Sequence, residues 1–146
     1  MTARYLLDVN VLIADAWPTH QSHSTVQQWL SRHAREGWAT CPLTQSAFVR
    51  ILSNPAFAPN ALTPRDALAL LEANMRHTAH SFWEDDIGFV DAVEPYAERL
   101  VGHQQASDAY LLRLAIHRKG TLVTLDKAVP ALLPAGSPHR DSVVLI

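Results

Sequence analysis

The sequence predicts an α/β protein, a three-layer α/β/α arrangement around a central parallel sheet of about five strands. Three observations predict it. Tyr5-Leu6-Leu7-Asp8-Val9-Asn10-Val11-Leu12-Ile13-Ala14 is a nearly unbroken apolar run holding one carboxylate and one amide. Short apolar runs recur along the chain, over 38–41, 80–83, 121–125 and 142–146. Between them lie stretches whose apolar residues follow the helical period. Strands alternating with helices in this way build a parallel sheet with helices on both faces.

Composition narrows the class. At 146 residues the chain is expected to form one domain, over 1–146, with a full core. Apolar residues make up 48% of it, which is too many for a disordered chain. The longest apolar runs are too short to cross a bilayer, and no export signal is visible at the start. Cys41 is the single cysteine, so no internal disulfide is possible and a reducing cytoplasm is the expected setting. The formal net charge is −2, whereas general nucleic-acid binders are usually basic. Contact with nucleic acid would therefore need a local patch or bridging cations.

Taken in order, residues 4–7 read as the first buried strand, with Asp8 at its end and a helix over 9–15. The bland role for Asp8 is the cap of that helix. A polar break at Thr19-His20-Gln21-Ser22-His23 precedes a helix over 24–36, stopped by Gly37. No Cys or further His lies near His20 and His23 to complete a zinc set. The second strand, 38–41, is expected to stop at Pro42, and Thr44 to cap a helix over 45–52. There Gln45, Phe48, Val49 and Leu52 share one side, so Gln45 heads an inward stripe while Arg50 points elsewhere. Thr63-Pro64 opens a helix to about Arg76, with Leu68, Leu71 and Met75 expected on the sheet. Residues 80–83 form a third strand, and Glu84-Asp85-Asp86 reads as a solvated turn. A helix over 89–101 is interrupted by Pro95. Gly102-His103-Gln104-Gln105 is a loop, with His103 expected to face solvent. Ala106 or Ser107 then opens the best-defined helix, which ends at Lys119-Gly120. Asp108, Leu111, Leu112 and Ala115 share its buried side, and at the helix start the dipole favours an acid. Residues 121–125 form the fourth strand, ended by Asp126. A short helical turn over 127–133, a loop and a last strand over 142–146 complete the chain.

Asp8 and Asp126 each end a strand, and Asp108 and Gln45 each begin a helix. In a parallel sheet those positions lie along one edge, where ligands bind. Carboxylates gathered in a half-buried cleft repel unless a cation neutralises them. Oxygen-only ligands select Mg²⁺ or Mn²⁺ over zinc. Such ions bridge to phosphate oxygens and assist hydrolysis of a phosphodiester. Asn10 is placed to bond the backbone beside Asp8. Ser107 and Thr124 offer hydroxyls next to Asp108 and Asp126, as caps or as substrate contacts.

Four stretches carry a resemblance: Leu6-Leu7-Asp8-Val9-Asn10-Val11-Leu12-Ile13-Ala14; Cys41-Pro42-Leu43-Thr44-Gln45-Ser46-Ala47-Phe48-Val49-Arg50; Gly102-His103-Gln104-Gln105-Ala106-Ser107-Asp108-Ala109-Tyr110-Leu111-Leu112; and Leu122-Val123-Thr124-Leu125-Asp126. In this order they resemble the PIN domain, and more narrowly the VapC-type ribonuclease toxins of toxin–antitoxin pairs. The resemblance implies an Mg²⁺- or Mn²⁺-dependent endoribonuclease acting on RNA, a homodimer, and a small antitoxin protein that occupies the cleft. Asp8, Asp108 and Asp126 match the family's acids and are the implied catalytic and metal-binding residues. The family usually adds a Glu in the helix after the second strand, a place aligned here with Gln45. An amide brings no charge there, so weaker binding of a second cation is expected. The alternative is a catalytically weakened module of the same fold that binds RNA or protein. A phosphatase with Asp8 as nucleophile fits less well, because its pattern wants an acid two residues on, where Asn10 stands.

Overall fold

In the computed structural model, which describes residues 3–146, side chains of strand β1 (Tyr5–Leu7) alternate between two cores. Leu6 enters one core, while Tyr5 and Leu7 enter the other, as the two-residue period of a strand requires. Ala39 and Trp38 divide in the same way in β2 (Trp38–Thr40), as do Leu122 and Val123 in β4 (Thr121–Thr124). Strands buried on both faces leave no polar side to show, which is why they read as continuous apolar runs. The edge strands β3 (His80–Phe82) and β5 (Val143–Leu145) are only partly buried. The order is β3-β2-β1-β4-β5 and every pairing is parallel.

Helices cover both faces. Helices α1 (Val9–Ala16), α2 (His23–His33), α3 (Pro42–Leu52) and α4 (Pro64–Met75) pack Val11, Val26, Phe48 and Leu71 with Tyr5, Leu7 and Val123. Helices α5 (Phe89–Val93) and α6 (Gln104–His117) bring Ala92, Val93, Leu112 and Leu114 to Leu6 and Leu122. The chain leaves β1 on one side for β2 and β3 and returns on the other for β4 and β5. Strand order therefore reverses between β1 and β4, and a crevice opens at their carboxyl ends.

Several expected boundaries shift. Pro42 does not merely stop β2; it is the first residue of α3, where its missing N–H costs nothing. Thr44 is thus not the cap. Its Oγ1 instead accepts the Cys41 N–H at 3.0 Å from inside the first turn. Leu68 is 58% exposed, because α4 turns only Ala67 and Leu71 fully inward. The region 89–101 holds the short α5 and then a 3₁₀ turn, Glu94–Arg99, with Pro95 at its start. Only a 3₁₀ turn, Pro130–Leu132, forms in 127–133. At the end of α6 it is Lys119, at φ 57°, that takes the left-handed conformation. Gly120 serves close approach instead: a Cβ there would stand 2.7 Å from the Arg4 carbonyl oxygen and 2.8 Å from the Trp83 ring. Among the described residues no helix is long and apolar enough to cross a membrane.

Candidate active site

Asp8 leaves β1 at the switch point and is 3% exposed. It is also the N-cap of α1, so the bland role and the site role coincide. The Val9 N–H donates to its Oδ1 at 2.7 Å and the Thr124 hydroxyl to its Oδ2 at 2.8 Å. Thr124, fully buried at the end of β4, spends its remaining capacity on the next strand-end acid: its Oγ1 accepts the Asp126 N–H at 3.1 Å. One hydroxyl therefore fixes the Asp8 carboxylate and the Asp126 backbone together. Asn10 Oδ1 accepts the Leu125 N–H at 3.4 Å and ties α1 to the same segment. Asp126 itself is exposed, and its Oδ1 accepts the Ala128 N–H at 2.9 Å in a side-chain turn.

Asp108 reaches this place from the other side of the sheet. Helix α6 begins at Gln104, two to three residues earlier than the sequence suggested, so its first turn holds no acid. Asp108 lies in the second turn, beyond the strongest pull of the helix dipole. What remains is burial, with repulsion added to it. Burial pushes the Asp108 carboxyl up to about 7, and the charges of Asp8 and Asp126 add to the push. Burial also raises Asp8, against the lowering effect of its bonds from Thr124 and Val9; Asp126 adds a smaller upward push.

Asp8, Asn10, Ser107, Asp108 and Asp126 line one cleft of about 480 Å³. An adjoining hollow of about 300 Å³ shares Asp108, Asp126 and His103 with it. A larger hollow of about 610 Å³ lies along the turn Glu94–Arg99, but that single turn supplies all its walls, and its two acids, Glu94 and Glu98, come from one element with Arg99 beside them. Among the described residues, no ion pair involves Asp8, Asp108 or Asp126. Three carboxylates thus share a cleft without a basic partner. That charge deficit and the all-oxygen donor set fit a divalent cation such as Mg²⁺ or Mn²⁺. Among the described residues no group of three or more His, Cys, Asp or Glu is placed to hold a metal ion.

Gln45 is not part of this cleft. Its Nε2 donates to Thr40 Oγ1 at 2.9 Å and lies 3.6 Å from Met75 Sδ. It does head the stripe of Phe48, Val49 and Leu52, but that stripe faces the core beneath the sheet. The cleft meets α3 along a different line, at Leu43, Thr44, Ala47, Arg50 and Ile51. Arg50, expected to point elsewhere, therefore stands on the cleft wall, and the residue below it is Ala47, not an acid. Three-to-four-residue spacing joins these positions, a signal present in the sequence but masked by the stronger apolar stripe beside it. Glu84, Asp85 and Asp86 do not line the cleft; Asp86 pairs with Arg118 at 3.3 Å and His117 at 3.5 Å. His103 is exposed, as expected, and sits on the cleft rim. The ring nitrogens of the early histidines serve local structure: His20 Nδ1 accepts the Ser22 N–H, and His23 Nδ1 lies 2.7 Å from the Ala14 carbonyl.

Known proteins are similar to this chain. The family model of the PIN domain matches residues 5–132. Ribonuclease VapC38 of Mycobacterium tuberculosis (strain ATCC 25618 / H37Rv) is 44% identical over 85% of this chain and 86% of its own length. Ribonuclease VapC39 of Mycobacterium tuberculosis is 39% identical over 93% of this chain and 96% of its own. Among solved structures, PAE2754 from Pyrobaculum aerophilum superposes with a TM-score of 0.61 at 22% identity, covering 89% of this chain and 79% of its own. VapBC2 from Rickettsia felis, bound to a DNA fragment from their promoter, gives 0.57 at 13% identity, over 84% of this chain and 86% of that one. At those identities the two structures support the fold alone.

Proposed function

The chain belongs to the PIN-domain family, and to the VapC group within it, and on that premise we propose that it is a metal-dependent endoribonuclease, the toxin of a toxin–antitoxin pair. One observation carries the reading: Asp8, Asp108 and Asp126 reach one cleft from three separate elements, with no basic residue paired to them. In this reading those carboxylates hold Mg²⁺ or Mn²⁺. When bound, such a cation activates a water for attack on phosphorus and offsets charge on the leaving oxygen.

The chain's own residues set the geometry. Asp8 is the fixed member, since both its oxygens are held by donors and its side chain is buried. Thr124 and Asn10 are positioning residues: they lock the strand-end segment that carries Asp126. Asp108, on the facing helix, completes the acidic set, and Ser107 beside it is exposed on the cleft wall, where its hydroxyl is available to a phosphate oxygen. The relatives' names support RNA as substrate, and the family resemblance supports a small antitoxin partner and a homodimer. The single, buried Cys41 accords with a reducing cytoplasm.

The test is incubation of the purified protein with structured RNA in Mg²⁺ or Mn²⁺, alongside Asp8→Asn and a chelator control. Cleavage should require both the cation and Asp8; cleavage that survives either loss rejects the reading. Ala47 favours a second reading, a binding module without turnover, because α3 presents no acid to the cleft. Tight RNA binding with no cleavage in either cation would select it.

A further inference from the structure

We infer that Arg50 is a substrate-binding residue, its guanidinium holding an RNA phosphate against the α3 wall of the cleft. The inference rests on the reading above that RNA occupies this cleft. Arg50 lines the same concave space as Asp8, Asp108 and Asp126, yet it appears in no ion pair among the described residues. Arg4, Arg76 and Arg118 are paired with Glu36, Glu72 and Asp86, and Arg50 is the arginine on the wall of the acidic cleft. Arg50 is exposed, so its donors are not used up inside the protein.

The chemistry of the cleft makes that free guanidinium meaningful. A polyanion approaching three carboxylates is repelled, and a chain of net charge −2 offers no general attraction to offset this. Positive charge is needed locally. The three acids draw a cation to the β1/β4 side. On the α3 side, Ala47 offers no carboxylate to hold another. Arg50, one turn further along, supplies the missing charge from the protein itself. A guanidinium suits the task because its planar fork matches two phosphate oxygens at once. Such a contact positions the strand and carries no sequence information. The adjoining hollow, which shares Asp108 and Asp126, lets the strand continue past the acids.

The experiment measures single-stranded RNA oligonucleotide binding by fluorescence anisotropy across a salt series, in the full chain. The background is Asp126→Asn, an exposed position whose loss should stop turnover. Arg50→Ala should weaken binding about tenfold and reduce the slope of log K against log salt by about 0.7, the value of one phosphate on a single strand. Arg50→Lys should restore the slope and only part of the affinity. Arg65→Ala, on α4 and outside the cleft, should change neither; melting curves confirm that each variant folds. In steady-state cleavage by otherwise native protein, Arg50→Ala should raise KM more than it lowers kcat. Unchanged affinity and slope in Arg50→Ala overturn the inference, as does an equal loss in Arg65→Ala or the absence of RNA binding altogether. If the native protein binds RNA through Arg50 but never cleaves it, the nuclease reading fails and the phosphate contact stands.

Discussion

Replacing Asp108 by Asn should make the metal-free protein more stable at alkaline pH, although it removes a residue assigned to catalysis. The Asp108 carboxyl is pushed up to about 7 in the folded chain, against roughly 3.9 when unfolded. Between those values the folded state keeps a proton that the unfolded state has released. Stability therefore falls as pH rises from about 4 to about 7, and the full penalty is present above 7. Three pH units correspond to about 4 kcal/mol. Asp108 is partly open to solvent, so screening reduces the expected figure to about 2 kcal/mol. Asn carries no charge and escapes the penalty. For a chain of this length about 2 kcal/mol is on the order of 5 °C in melting temperature. The assay is thermal melting in chelator from pH 5 to pH 8.5. The advantage of Asp108→Asn over the native protein should be about a third of its full size at pH 5 and complete at pH 8. Adding Mn²⁺ at pH 8 should reverse the ranking, because a cation held at about 100 times its Kd adds roughly 2.7 kcal/mol to the native chain alone. A variant that is less stable than native at pH 8 in chelator, or a gap that ignores pH, would refute the electrostatic account of this cleft.

Three further outcomes follow from the same geometry. Thr124→Val keeps the shape of the buried side chain but strips one donor from Asp8 and one acceptor from the Asp126 N–H. It should cost about 1–3 kcal/mol in urea unfolding and lower kcat more than it raises KM. Gly120→Ala drives a methyl group to 2.7 Å from the Arg4 carbonyl oxygen and should cost about 2–3 kcal/mol, while cleavage per folded molecule stays unchanged. Ala47→Glu should add a carboxylate to the cleft wall and raise Mn²⁺-dependent cleavage severalfold. Gln45→Glu should add none there and should lose about 1 kcal/mol, because it removes the donor to Thr40. The opposite pattern in this pair would show that the two faces of α3 have been exchanged.

Much of this architecture is written in the chain at short range. The three inner strands are dense apolar runs because both sheet faces are covered, and their ends are marked by Asp8 and Asp126, polar residues directly after such runs. Thr63-Pro64 places the start of α4 within a residue, since the cap and the ring of proline act locally: the Thr63 hydroxyl accepts the Asp66 N–H at 3.1 Å. Pro42 obeys the same rule, yet it reads equally well as a strand stop. Only the packing of α3 against the sheet decides between the two. The start of α6 was hidden for a related reason. Gln104 and Gln105 carry neither a cap nor a clear period. Their helical conformation follows from the turn at Gly102 and His103, where the Gln105 N–H donates to the Gly102 carbonyl at 3.1 Å.

The unequal fates of Asp108 and Gln45 show where sequence periodicity stops being informative. Each heads an apolar stripe on its helix, and a stripe identifies the side that meets the core. It does not say what lies at the stripe's end. Helix α6 brings its amino-terminal turns over the reversal between β1 and β4, so the residue heading its stripe emerges into the crevice, with Leu111 beside it. Helix α3 follows β2, one strand away from that reversal. Its stripe shares a core with Trp38 and Leu71, and the residue at its head meets the Thr40 hydroxyl and Met75 instead. The crevice touches α3 along its flank, at Leu43, Thr44, Ala47, Arg50 and Ile51. Two helices with the same local pattern thus present opposite charges to one cleft, an acid from α6 and a guanidinium from α3. The difference is set by strand order, which is a long-range property that no window of a dozen residues contains. In the proposed reading, an acid that holds a cation and a base that holds a phosphate then line one cleft, and that base stands five residues beyond Gln45.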